Sequence, residues 1–297
     1  MNIIKYRKFW LLFSLAMIVV AIPLLFIFKI PAGIDFTGGS LVEIKTNQPE
    51  TVSNIREKVG KFHSAGDLVI QESGPNQFII RTKSLEGDSY KKFETDLKAS
   101  VDSNILRHES IGATVGKNLT QKAITGVLVA SILIIMYLAY SFRKVPRSVS
   151  SWTFGTVAIL TLLHDLAVTT AIFFIIGKFS GYELDSLFVV AALTILGFST
   201  HDTIVVFDRI RENMIKNPQK SFEQNANSSI NQTLARSLNT SLAAILVLVA
   251  MLILGGSTIK PFVLMLALGI GIGTYSSIFV ASPALVTWFE YQNRNKK

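Results

Sequence analysis

Long apolar runs govern what this chain can become. Between islands of charge lie stretches of roughly 18 residues or more that are almost wholly apolar, and a helix of that length crosses a hydrocarbon core of about 30 Å. By window length they fall at about 9–28, 123–140, 153–176, 185–207, 234–254 and 261–288. A backbone inside lipid must satisfy its own N–H and C=O groups, so six such runs predict a polytopic α-helical membrane protein. Charged residues make up only 16% of the chain, against about 25% in soluble domains. The first run exceeds the apolar region of a signal peptide, usually about 7–15 residues, and no Ala-x-Ala-like site follows it. The expectation is an uncleaved anchor.

The net charge of +9 does not point to nucleic acid, because the basic excess flanks apolar spans and reads as an orientation signal. With the N-terminus inside, the cytoplasmic segments hold Lys5, Arg7 and Lys8; Arg143, Lys144 and Arg147; Arg209, Arg211, Lys216, Lys220 and Arg236; and Arg294, Lys296 and Lys297. The two short outer loops hold only Lys178 and Lys260. Both termini are therefore expected in the cytoplasm, with the segment after the first span outside. The expected division is 1–29 as tail and first helix, 30–120 as an extracytoplasmic domain, and 121–297 as the remaining helices with cytoplasmic loops and tail.

Within 30–120 the periodicity changes. SLVEIKT (40–46) alternates apolar and polar after Gly38-Gly39, and residues 67–73 and 76–83 flank Gly74-Pro75 as a hairpin. Val52, Ile55, Val59 and Phe62 recur at helical spacing, as do Tyr90, Phe93, Leu97 and Val101. A last strand falls near 105–111. The order β-α-β-β-α-β predicts an α+β ferredoxin-like domain, with two helices on one face of an antiparallel sheet. Nothing in it has a catalytic pattern. Cysteine is absent, so thiolate metal sites are excluded. His63 and His108 read as isolated surface or core histidines. GIDFTGGS (33–40) precedes a strand instead of opening a helix, so it is not a phosphate-cradling loop.

Ionisable residues at membrane depth are costly and mark function. The third run carries His164 and Asp165. The fourth carries His201 and Asp202, then Asp208 and Arg209 toward its cytoplasmic end. Asp202 would lie about 9 Å inward from Asp208 on one helix. Arg236, at the cytoplasmic start of the fifth run, can share its level. Two readings stand: a static ion pair between helices, or a proton relay with the histidines assisting. A metal site from His164, Asp165, His201 and Asp202 is disfavoured, since neighbours on a helix point apart and no His-Glu-x-x-His spacing occurs; no metal or other cofactor is expected. In the last run Gly269, Gly273, Ser277 and Ala281 recur every four residues, a small-residue stripe that lets another helix approach closely.

Several segments together resemble one family. GIDFTGGS (33–40), ESIGATVGKNL (109–119), HD (164–165), GFSTHDTIVVFDRIREN (197–213), QTLARSLNTS (232–241) and IGTYSSIFVASPALV (272–286) look like signatures of SecF, within the SecD/SecF protein-export family. Ala113 stands where the related ESxGPxVG pattern has proline. The resemblance runs the length of the chain and implies a proton-coupled protein of the resistance-nodulation-division superfamily. It implies pairing with SecD into a twelve-span unit that assists export of unfolded preproteins after SecA and the SecYEG channel begin it. Asp202 and Arg236 match that family's intramembrane proton-pathway aspartate and arginine. A small-molecule or lipid exporter of the same superfamily, and a passive translocon assembly subunit, are the alternatives.

Overall fold

A computed structural model describes residues 2–62, 68–142 and 151–294. His63, Arg143, Lys144, Arg147, Lys296 and Lys297 lie outside the described residues. Among those described, six helices are long and apolar enough to cross a membrane: Ile4–Ile27, Ala113–Ser141, Trp152–Ser180, Ser186–Lys216, Phe222–Leu254 and Lys260–Gln292. The chain divides into two compact units. One comprises Met1–Lys29, Val127–Ile176 and Val190–Lys297; the other comprises Ile30–Gly126 and Gly177–Val189.

The first unit opens with a 3-10 turn, Ile4–Tyr6, that runs into α1 (Arg7–Ile27). The second opens with a single turn, α2 (Ile34–Thr37), followed by β1 (Gly39–Thr46), α3 (Val52–Val59), β2 (Val69–Gly74), β3 (Gln77–Thr82), α4 (Asp88–Ser100) and β4 (Ser103–Ile111). The strands form one antiparallel sheet in the order β2-β3-β1-β4. That element order and strand order are those of a ferredoxin-like domain, as the alternation of the sequence predicts. Alternate side chains of the strands point to one face, so Val42, Ile44, Ile70, Phe78 and Ile80 meet Ile55, Val59, Phe93 and Leu97 of the two helices in a closed core. Thr51 caps α3 by accepting the Asn54 N–H at 3.2 Å. The turn between β2 and β3 places Asn76 at φ 58°, a conformation asparagine tolerates better than most residues. His108 stacks on Tyr90, ring centroids 3.7 Å apart.

A short segment far along the chain joins this unit. Ala32 and Leu184 form a parallel bridge, with the Gly33 N–H donating to Leu184 at 2.7 Å and the Leu184 N–H to Pro31 at 3.1 Å. Glu183 then reaches Arg81 on β3, Oε1 to Nη1 2.6 Å.

The remaining helices are α5 (Ala113–Ser141), α6 (Ser151–Ser180), α7 (Ser186–Lys216), α8 (Phe222–Leu254), α9 (Lys260–Ser276) and α10 (Ser282–Arg294). Several outrun the apolar windows. α5 begins at Ala113 instead of 123, α7 continues past 207 to Lys216, and α8 begins at Phe222 instead of 234. A hydropathy window registers only the part of a helix that lipid surrounds, whereas caps and packing set its ends. At α8 a reciprocal capping box between Ser221 and Gln224 fixes the start, and Phe222, Ala226 and Ile230 are buried in the first unit's core. Phe142, Phe154 and Phe207 meet in the same core, Phe142–Phe154 stacked at 5.1 Å and Phe154–Phe207 edge-on at 5.3 Å. Arg7, an orientation charge in the sequence, is also ion-paired, to Glu223 at 3.3 Å and Glu290 at 2.7 Å.

The sixth run, expected as a span over 261–288, is one long helical span, Lys260–Gln292, whose hydrogen-bond ladder widens part-way. Between α9 and α10 lies a π-helical segment, Ser277–Ala281. Pro283 supplies the physical reason: it has no N–H to donate to the carbonyl four residues back, so the ladder there must widen. The Ser282 hydroxyl donates to the Ser277 carbonyl at 3.1 Å across the gap.

Candidate functional site

Inside the first unit four helices converge on polar groups that ought to be rare at membrane depth. Ser199, Asp202 and Thr203 recur at i, i+3 and i+4 on α7, which puts them on one face. That face meets Asp165 of α6, Ser241 of α8, Thr274 of α9 and Ser277 at the start of the π segment, and Ser276 of α9 reaches the same Asp165. Hydroxyl side chains are tolerated there because each can return a hydrogen bond to its own helix. The Thr274 hydroxyl lies 2.8 Å from the Ile270 carbonyl and Ser277 donates to Gly273 at 2.9 Å; Ser276 lies 3.0 Å from the Gly273 carbonyl but gives its one hydrogen to the nearer Asp165. Glycines bring the backbones close: a Cβ on Gly269 would lie 2.3 Å from Ile195 atoms, and one on Gly273 would lie 3.1 Å from the Ser199 Cβ.

The two carboxylates of this cluster are held differently. Asp165 is fully buried; its Oδ1 pairs with His164 Nδ1 at 2.9 Å, and its Oδ2 accepts from Ser199 at 2.5 Å and Ser276 at 2.7 Å. Asp202, only 4% exposed, has contacts near the limit of hydrogen bonding: Ser241 and Thr274 each approach Oδ2 at 3.4 Å, while those two hydroxyls bond each other at 2.6 Å. The His164 Nε2 and the Ser237 hydroxyl are buried with no hydrogen-bond partner among the described residues. Carboxylates, imidazole and hydroxyls can take up, hold and release protons; nothing in the cluster is arranged as an activated nucleophile. Among the described residues no three His, Cys, Asp or Glu side chains gather closely enough to hold a metal ion.

The profile of the family described as Protein export membrane protein SecD/SecF, C-terminal, matches residues 91–291, and the SecD/SecF GG Motif matches residues 24–50. The chain belongs to the SecD/SecF family. It is 39% identical over 300 residues to protein translocase subunit SecF of Thermobaculum terrenum, covering 97% of this chain and 93% of that one. With the SecF of Anaerolinea thermophila it shares 36% identity, covering 99% and 96%. The crystal structure of SecDF, a translocon-associated membrane protein from Thermus thermophilus, superposes with a TM-score of 0.84 at 31% identity. That match takes in 97% of this chain but 38% of the SecDF chain, so this SecD/SecF-family protein spans well under half the length of that relative.

In this SecD/SecF-family chain the paired glycines of the GG segment both have positive φ, Gly38 at 72° and Gly39 at 128°. A Cβ on Gly38 would lie 2.7 Å from the Ala113 Cα, at the position where the related pattern has proline.

The other sequence-predicted residues fall in several places. His164 and Asp165 do not diverge, as adjacent residues were expected to, but bond each other. His201 is exposed, on another side of α7 from the buried Asp202. Arg236 does not meet Asp202: it is exposed, and no ion pair joins the two among the described residues. The α8 residue at the level of Asp202 is Ser241, so Arg236 sits about 7.5 Å away along the helix axis. Asp208 pairs with Arg211 at 2.6 Å, while Arg209 bonds Gln232 at 2.6 Å and pairs with Glu212, so Arg209 is held by protein groups. In the small-residue stripe, Gly269 and Gly273 face α7, the Ser277 hydroxyl lies 2.9 Å from Thr203, and Ala281 is buried in the core.

Ser199, Ser241 and Thr274 match none of the sequence patterns that marked functional residues. Their signal was present: hydroxyl residues within otherwise apolar spans, Ser199 three residues from Asp202 and Thr274 three residues from Gly271.

Proposed function

We propose that this chain is the SecF half of a SecD–SecF unit that uses the proton motive force to promote export of unfolded preproteins. It would act after SecA and the SecYEG channel have begun translocation, in the cytoplasmic membrane with both termini inside and residues 30–120 as the outer domain. It carries out no covalent chemistry in this reading. Family membership, the names of its relatives and the asymmetry of basic residues support the placement.

The observation that carries the proton reading is Asp202. A carboxylate buried in a membrane span, with two hydroxyl contacts at 3.4 Å and no cationic partner among the described residues, is poorly placed for a structural ion pair and well placed for exchanging a proton. Arg236 enters this reading as a charge that approaches Asp202 in another conformation of the cycle. Proton entry from outside would change the charge at Asp202, shift α7 against α8 and α9, and move the outer domain that holds emerging polypeptide. One elementary charge crossing 100 mV supplies about 2.3 kcal/mol. Reversing a two-state equilibrium from 1:99 to 99:1 takes about 5.5 kcal/mol, so one proton biases the movement and further protons or a pH gradient complete it.

The test is potential-driven proton flux in vesicles holding this chain assembled with its SecD partner. Asp202→Asn should abolish the flux without dissociating the complex. Undiminished flux in that variant would leave a passive assembly subunit as the better description.

A further inference from the structure

Asp165 and Asp202 lie in one buried cluster but are built for different work, and the difference assigns a role to Asp165. The contacts of Asp165 are short and come from three helices: His164 of its own α6 at 2.9 Å, Ser199 of α7 at 2.5 Å and Ser276 of α9 at 2.7 Å. Both hydroxyls converge on the same oxygen, Oδ2, which ties α7 to α9 through a third helix. The tie sits where the two helices pack closely, since a Cβ on Gly273 would lie 3.1 Å from that of Ser199. It also sits at the last residue of α9 before the ladder widens into the π segment.

The consequence for Asp202 follows from helix geometry. Asp202 is three residues beyond Ser199 on α7, about 4.5 Å along the axis on the same side. Thr274, one of its two hydroxyl donors, is two residues before Ser276 on α9. The register of Ser199 against Ser276 therefore fixes the register of Asp202 against Thr274. A slide of α9 along α7 by a fraction of a turn would break both hydroxyl bonds at Asp165 and alter the donors at Asp202 in the same movement.

We infer that Asp165 is a positioning residue, a clamp that sets how α7 and α9 register and so which hydroxyls face Asp202. It is not itself a proton carrier. This inference rests on the reading of Asp202 as the proton-exchanging group. A carboxyl oxygen accepts hydroxyl hydrogens whether or not the group is protonated, so the clamp does not require Asp165 to titrate. An asparagine can replace it: the amide oxygen accepts from Ser199 and Ser276, and the amide N–H donates to His164 Nδ1 once the imidazole proton moves to Nε2, now unpartnered. The groups that contact Asp202 are Ser241 of α8 and Thr274 of α9; the titratable groups nearby are His201, the exposed neighbour on its own helix, and the His164–Asp165 pair of α6, which bonds Ser199 one turn away on α7. Only the register controls the two hydroxyls.

The experiment measures proton flux per assembled SecD-containing complex in vesicles, as a function of pH, for Asp165→Asn, Ser199→Ala/Ser276→Ala and Asp202→Asn. Asp165→Asn should keep flux within about twofold of wild type, with the same pH midpoint, because the acceptor remains. The double serine variant keeps the carboxyl but loses the tie; its flux should fall about tenfold, or its midpoint move by roughly half a unit or more. Abolished flux in Asp165→Asn, whatever the double serine variant does, would overturn the inference and make Asp165 a carrier. A double serine variant that merely assembles less, with flux per complex and midpoint unchanged, would also overturn it. Retained flux in Asp202→Asn fails the proposed function instead and is read separately.

Discussion

The Glu183 carboxylate lies 2.6 Å from the Arg81 guanidinium, and both side chains are shielded from water, at 10% and 13% exposure. The pair joins the segment between α6 and α7 to strand β3 of the ferredoxin-like sheet. Burial raises the Glu183 carboxyl from its ordinary 4.5 to about 7; Arg81 opposes that shift, and Asp185 adds to it. Burial likewise pushes the Arg81 guanidinium below its usual value, so desolvation outweighs attraction at both partners.

Because the folded value of Glu183 lies above the unfolded one, the folded segment binds protons more tightly than the unfolded segment. Its contribution to docking is complete below about pH 4.5 and is lost as the pH rises through about 7. The span amounts to at most roughly 3 kcal/mol. Hydrogen exchange of the amides at 182–186, corrected for intrinsic rate, should show stronger protection at pH 5.5 than at pH 8. Glu183→Gln should flatten that difference. An equal difference in the variant would remove Glu183 as its cause.

Gly269 and Gly271 stand one turn-fraction apart on α9 yet should respond oppositely to alanine. A Cβ at 269 meets Ile195 atoms at 2.3 Å, whereas one at 271 finds its nearest neighbour, the Ile245 Cδ1, at 3.9 Å. Gly269→Ala should cost about 1–3 kcal/mol by overpacking. Gly271→Ala should be neutral or slightly stabilising, since alanine favours the helix by up to about 1 kcal/mol. Thermal unfolding in detergent, followed by fluorescence, separates the two.

The paired glycines before β1 are required for two separate reasons. Gly38→Ala meets both a left-handed backbone and the Ala113 Cα at 2.7 Å, and Gly39→Ala meets the Thr82 carbonyl at the same distance. Each should destabilise the outer unit by about 1–3 kcal/mol. Gly87 also has positive φ, at 54°, but nothing lies within 4 Å of an added Cβ, so Gly87→Ala should cost less than either. Limited proteolysis within 30–126 gives the ranking, and equal susceptibility of all three variants would argue against crowding at the GG segment.

Arg236 offers a test that separates stability from cycling. Exposed and unpaired with Asp202 here, it should tolerate Arg236→Ala with a stability change within about 0.5 kcal/mol. If it approaches Asp202 during the cycle, proton flux in the SecD-containing complex should nevertheless fall. A large drop in melting temperature would mean instead that Arg236 braces the resting fold.

What the sequence settles by itself is whatever depends on local pattern. Apolar run length gives the membrane helices, because a backbone in lipid has few other solutions. Period-two and period-3.6 alternation gives the strands and helices of the outer domain, because one face of each must be buried. The expense of burying charge singles out Asp165 and Asp202. Whatever depends on neighbours distant in the chain had to come from tertiary structure. Asp202 meets Ser241 and Thr274 instead of Arg236 because pairing across helices follows axial register, which a single turn of rotation or slide changes and no local periodicity encodes. Glu183 reads as an ordinary loop acid in the sequence; only the fold brings Arg81 of β3 beside it. In their own segments Ser199 and Ser276 read only as small residues of apolar spans. They become a clamp when packing brings α7 and α9 together around the one oxygen of Asp165 that both can reach.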